Sequence, residues 1–234
     1  MRAERFAPRL DARLAAAAAL VRPGGPAADI GCDHGKLTAH LALRGDICRV
    51  IGTDLRPGPL AAARATCEAA GCLDTVELRL GGGLAPLLPG EARDIVLAGM
   101  SAGTIQEILE AGPWVKRPGL RLVLVPATRH GQLRAWLCHN GFALLEDCPA
   151  QANGRWYAVM AAEYTGIPTR PGPAFCVLGR TVRHPGADGY RAQELRKLEK
   201  ICKGLRDEPL RQRLDTVLRG EAAVEEPLPG QPVL

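Results

Sequence analysis

Two acids alternate with two glycines in Asp29-Ile-Gly-Cys-Asp-His-Gly35, the densest chemistry in the 234-residue sequence. The segment follows an apolar run and opens a helical pattern. Gly31 lets the backbone turn sharply and approach a ligand. The spacing Gly31-x-x-x-Gly35 is not the dinucleotide fingerprint, and carboxylates at 29 and 33 would repel a pyrophosphate. A sulfonium bearing an α-amino group would be attracted by the same charges. The pattern therefore favours S-adenosyl-L-methionine over NAD. Asp54 ends the next apolar run, where parallel α/β sheets that bind nucleosides place an acid for the two ribose hydroxyls. Gly81-Gly-Gly-Leu84 offers backbone to an adenine edge. Gly99-Met100-Ser101-Ala102-Gly103 closes a later strand on the side where an acceptor would enter.

These residues need a sheet to hold them. Short apolar runs at 27–31, 49–54, 76–80, 94–100 and 120–126 alternate with helical patterns at 37–45, 59–71, 104–112 and 132–141. Two more strands are read at 142–148 and 155–164, joined by the polar turn PAQANG. No crossover helix fits there, so the pair is an antiparallel hairpin on a mostly parallel seven-stranded sheet covered on both faces. Residues 1–164 form this α/β domain. The Gly/Pro-rich stretch 165–189 reads as a linker or extended arm, and 190–224 as a hairpin of two amphipathic helices. Residues 225–234 read as a disordered tail. At the other end, Arg2, Arg5, Arg9 and Arg13 would share one face if their segment were helical. Pro8 argues against one unbroken helix.

Composition sets bounds. Apolar residues make up 47% and charged residues 24%, with 30 basic against 25 acidic side chains and a net charge of +5. That is an ordinary globular profile, with no apolar run long enough for a transmembrane helix. The charge permits a polyanionic partner without demanding one. The eight cysteines show no CxxC pair and no zinc-finger spacing, so reduced thiols in a cytoplasmic protein, with no metal, are expected. The Arg-rich start followed by LAAAAALV imitates a signal peptide, but Asp11 and Arg13 interrupt it. Oligomeric state is not legible; a monomer is favoured.

The sequence resembles the bacterial tRNA (adenine-22-N1)-methyltransferases, a class I S-adenosylmethionine-dependent family with a Rossmann-like domain and a C-terminal helical hairpin. The carrying segments are 8–21, ADIGCDHGKL (28–37), GTDLRPGPL (52–60), GGGL (81–84), DIVLAGM (94–100), PATRHGQLRAWL (126–137) and RWYAVMAAE (155–163). The resemblance implies cofactor contacts at Asp29, Gly31, Asp33, His34, Asp54, Gly83, Leu84, Gly99 and Met100. Cys32, Leu55 and Gly82 are counted beside them. Asp33 and His34 are the candidates for polar help near the acceptor. A tRNA partner is implied, with contacts expected at Arg5, Arg9, Arg13, Lys36, Ser101, Arg129, Arg196, Lys197 and Lys200. Methylating adenosine at N1 needs no strong base, because the nucleophile is a ring-nitrogen lone pair.

The chain also departs from the family. Ser101-Ala102 replaces a pair of glycines, and Val125-Pro126-Ala127 stands where Gln-Pro-Asn is common. Gly82 and Lys36 replace a polar and an aromatic residue. These changes leave open a different RNA or small-molecule acceptor, or a non-catalytic protein that binds cofactor and RNA.

Overall fold

The computed structural model describes residues 7–224. Helix α1 (Ala12–Leu20) starts at Asp11, whose Oδ1 accepts from the Leu14 amide at 3.0 Å. The arginine stripe is therefore not a helical face: Arg9 precedes the helix, Arg13 lies within it, and Arg2 and Arg5 fall outside the described residues. Strand β1 (Ala27–Ile30), α2 (Lys36–Leu43), β2 (Val50–Asp54), α3 (Pro57–Ala69) and β3 (Val76–Leu80) form the first half. The second half is β4 (Asp94–Ala98), α4 (Ala102–Ala111), β5 (Arg121–Val125), α5 (His130–His139), β6 (Phe142–Ala152) and β7 (Arg155–Tyr164).

The sheet order is β3-β2-β1-β4-β5-β7-β6, with β7 antiparallel to both neighbours and the other pairs parallel. Order reverses between β1 and β4, which opens a crevice beyond the carboxyl ends of those strands. Alternate residues feed two cores. Ile30, Ile95, Leu97 and Leu124 pack under α4 and α5. Val50, Val96, Val123 and Val125 pack under α1 and α2. Both faces are buried, as a parallel sheet requires.

Two expectations are corrected. The turn between β6 and β7 is not PAQANG but Asn153-Gly154 alone, with φ of +50° and +71°. That is the Asn-Gly geometry that joins two strands most tightly. Pro149 stays inside β6 because β6 is an edge strand. Nor is 165–189 simply a linker: it folds into α6 (Pro173–Leu178) and a 3₁₀ turn at Arg180–Arg183. Helices α7 (Asp188–Gly204) and α8 (Glu208–Leu218) follow. Ala174, Leu178, Leu198, Cys202 and Val217 form their shared core.

The two parts are bolted together by Arg134 on α5, which is fully buried. Its Nε and Nη2 donate to Asp147 on β6 at 2.9 and 3.1 Å. Nη1 donates to the carbonyls of Cys176 and Val177, and Nη2 also to the Tyr190 hydroxyl at 2.8 Å. All five N–H groups of the guanidinium are thereby satisfied. No helix among the described residues is long and apolar enough to cross a membrane.

Candidate functional site

A cleft of about 1310 Å³ opens at the switch point between β1 and β4. Its floor is the loop after β1. Gly31 and Gly35 have φ of +71° and +67°, and Asp33 between them +50°. A side chain at 35 would lie 2.8 Å from the Ala63 Cα, so glycine there lets the loop rest on the backbone of α3. The Cys32 amide donates to the Thr53 carbonyl at 2.8 Å, and the Asp33 amide to Asp54 Oδ2 at 3.2 Å. Asp54 Oδ1 accepts from the Arg56 amide at 2.9 Å. One carboxylate thus fixes both loops of the floor, and each oxygen keeps a lone pair for a further donor.

Asp29 is buried, and its Oδ2 accepts from the Thr38 hydroxyl at 2.6 Å. Burial, with a smaller push from Asp54, raises its pKa to about 6. Burial likewise pushes the Cys32 thiol far above its ordinary range, aided by the two acids, so this sulfur is not a nucleophile. Asp33 and His34 stand at the mouth, exposed, with His34 Nδ1 2.8 Å from Asp33 Oδ2. Above the floor, Leu55 is 71% exposed and faces the Gly82–Gly83 turn, where Ile108 completes an apolar slot. The rim is basic: Arg9, Arg13, Lys36 and Arg56. Arg13 is aimed by Asp11, which accepts from its Nε at 3.0 Å, and by the Tyr157 ring beneath its guanidinium at 5.4 Å.

Among the cofactor candidates, the cleft gathers Asp29, Gly31, Cys32, Asp33, His34, Asp54, Leu55, Gly82, Gly83, Gly99 and Met100. Leu84 is not among them. It is buried and lines a neighbouring cavity of about 340 Å³ with Leu87 and Trp114, because the chain turns inward after Gly83. Of the RNA candidates, Arg9, Arg13 and Lys36 reach the cleft, and Arg5 lies outside the described residues. Ser101 and Arg129 do not line it. Ser101 caps α4 through the Thr104 amide at 3.1 Å, and Arg129, with φ of +58°, precedes α5. A backbone bond of 2.7 Å from the Ala127 amide to the Met100 carbonyl joins these two acceptor-side loops. Arg196, Lys197 and Lys200 are exposed on α7, with Lys197 held by Glu194 at 2.6 Å. Sequence reasoning missed Thr38, Tyr157 and Ile108. Thr38 acts through Asp29 nine positions away across the loop, and Tyr157 and Ile108 through partners in distant segments, so no local pattern marks them.

The donor set suits S-adenosylmethionine. Asp29 and Asp33 would offer negative charge to a sulfonium and an amino group, Asp54 has lone pairs that a diol would fill, and the Leu55 slot would take a flat ring. A pyrophosphate would meet three carboxylates instead.

The methyltransferase-domain family model matches residues 10–160. A tRNA (adenine(22)-N(1))-methyltransferase of Bacillus subtilis (strain 168) is 32% identical over 155 residues, which take in 66% of this chain and 65% of that relative. The crystal structure of the B. subtilis m1A22 tRNA methyltransferase TrmK superposes with a TM-score of 0.74 at 26% identity, over 91% of this chain and 96% of that one. A Streptococcus pneumoniae structure in complex with S-adenosyl-L-methionine gives 0.77 at 27% identity, over 90% and 100%.

Proposed function

The chain belongs to the methyltransferase-domain family, and from that premise we propose that it transfers a methyl group from S-adenosylmethionine to N1 of adenosine 22 in tRNA. The observation that carries this reading is the cleft's division of charge. Buried Asp29 and Asp54 make an acidic floor, while Arg9, Arg13, Lys36 and Arg56 make a basic rim. A floor of that kind suits a cationic cofactor, and a rim of that kind suits the phosphates of a polyanionic substrate. The kinship with tRNA methyltransferases supplies the acceptor.

The bound cofactor supplies an electrophilic methyl on a sulfonium. Asp54 would hold its ribose, Asp29 would face its positive end, and Leu55 would cover its base. The adenine must leave its stack for N1 to reach the methyl. Asp33 and His34 then hold the incoming base at the mouth, and the rim guanidiniums hold the flanking phosphates. N1 would attack the methyl carbon with its own lone pair as the sulfur–methyl bond breaks and a neutral thioether leaves, so the positive charge passes from sulfur to the product ring and alignment is the main demand. The acidic floor and Asp33 also favour the positive charge that forms on the base.

Residues up to 164 are read as the transfer unit and 190–224 as an appendage that adds tRNA contacts through Arg196 and Lys200. The protein is read as a monomer working in the cytoplasm on tRNA. The test is methyl transfer from labelled cofactor to unmodified tRNA, with product nucleosides identified by mass spectrometry. N1-methyladenosine at position 22 is expected. Another methylated nucleoside, or cofactor binding without transfer, would overturn the assignment.

A further inference from the structure

At the sheet edge, far along the chain from the cleft residues, one group of donors has no part in the reaction above. Glu146 and Cys148 are two apart on β6, so they share a face, while Asp147 between them points inward to Arg134. The register shift between Leu144 and Glu146 sets which residues face which way. His184 arrives from the segment after the 3₁₀ turn. One carboxylate oxygen, the thiol sulfur and an imidazole nitrogen of these three residues lie within 4.8 Å of one another. The two halves are already tethered: the Arg180 amide donates to Asp147 Oδ2 at 2.9 Å, and Arg180 Nη1 to the Leu145 carbonyl at 2.7 Å. The His184 amide donates to the Thr181 carbonyl at 3.1 Å, which fixes the backbone that carries the imidazole.

We propose that Glu146, Cys148 and His184 form a site for a zinc-class divalent metal ion that clips the C-terminal helices to the edge of the sheet. The donor set decides the metal. One sulfur and one imidazole exclude magnesium and calcium, which take oxygen ligands, and match a borderline-soft ion in tetrahedral geometry. Three protein ligands leave the fourth position to water. A dication brought between these donors would be balanced by the Glu146 carboxylate and the thiolate, and the thiol proton leaves to solvent as the sulfur–metal bond forms. Sequence spacing could not show the site, because one ligand lies thirty-six positions from its nearest partner.

The test uses the full chain, stripped with a chelator and titrated with Co²⁺ as an optical probe and Zn²⁺ by calorimetry. One equivalent should bind, with thiolate-to-cobalt charge-transfer absorption and a higher melting temperature. Cys148→Ser should abolish the absorption, His184→Ala should weaken binding at least tenfold, and a large excess of Mg²⁺ should not compete. In the unmodified protein, Zn²⁺ should shield Cys148 from alkylation and leave the exposed Cys48 reactive. This readout holds even if a variant fails to fold. Absence of the thiolate band, binding unchanged in Cys148→Ser, or failure of Zn²⁺ to shield Cys148 would each overturn the site.

Discussion

Asp29 titrates near 6 in the folded chain against 3.8 as the ordinary value, because burial strips its charged form of water. Between those two values the native state binds more protons than the unfolded chain. Stability therefore falls as pH rises from about 4 through 6, by up to about 3 kcal/mol, and is level above that. Asp29→Asn keeps an oxygen for Thr38 and removes the charge, so it should stabilise the protein at pH 8 and hardly at pH 4. Equal gains at both pH values in urea melts would refute the burial argument. Cofactor affinity should run the other way, weakening as pH drops through 6, where the carboxylate must lose a proton to receive a cation. Asp54→Ala should weaken cofactor binding by about 1–3 kcal/mol, since ribose hydroxyls would be left unpaired; calorimetry showing no change would reduce the acid to a loop brace. That Asp29, Asp33 and Asp54 meet in one cleft was legible from sequence because their spacing follows from the strand–loop–helix unit itself. That Leu84 turns toward the neighbouring cavity was not legible, because a glycine run does not reveal which way the chain leaves the turn.

Arg134 shows what a sequence hides at the level of elements. It lies on an ordinary amphipathic helix pattern, and an arginine there reads as solvent-facing. Its five acceptors come from β6, α6 and α7, so the burial is intelligible only once three distant segments meet. Arg134→Ala leaves Asp147 buried without its counter-charge and should cost about 3–5 kcal/mol. A denaturation midpoint within experimental scatter of the parent would show that the pair is dispensable. The same network explains the misread stretch 165–189. A six-residue helix has no periodicity to detect, and it is stabilised by Phe175 and Leu178 in the cores and by carbonyls aimed at Arg134. The inner strands β1, β2, β4 and β5, in contrast, were plain in the sequence, because they are buried on both sides and read as short, mainly apolar runs, while the edge strand β3 alternates Glu77 and Arg79 with its apolar residues. The hairpin was legible in kind and not in length, since Asn153-Gly154 closes it with two residues where six were expected.

For the whole molecule, the arrangement of charge matters more than its modest sum of +5. Tyr190 and Glu194 of α7 are anchored inside the domain junction, with Glu194 3.5 Å from His130 Nδ1. Removing residues 190–234 would therefore damage the transfer unit as well, and surface charge reversal is the cleaner probe of the appendage. Arg196→Glu with Lys200→Glu should weaken tRNA binding and flatten its dependence on salt, with cofactor affinity unchanged. Identical salt slopes for the parent and the double variant would remove α7 from the RNA surface. Strand β6, finally, is eleven residues of sheet edge with Leu145 facing outward. In the finished protein that edge is blunted by its bulge, by Pro149 and by the Arg180 segment bonded to the Leu145 carbonyl. During synthesis the covering segment leaves the ribosome some thirty residues later than the strand it protects. For that interval the growing chain carries an open template for pairing with its neighbours, and the speed of α6 and α7 docking sets how much of it is lost to aggregation.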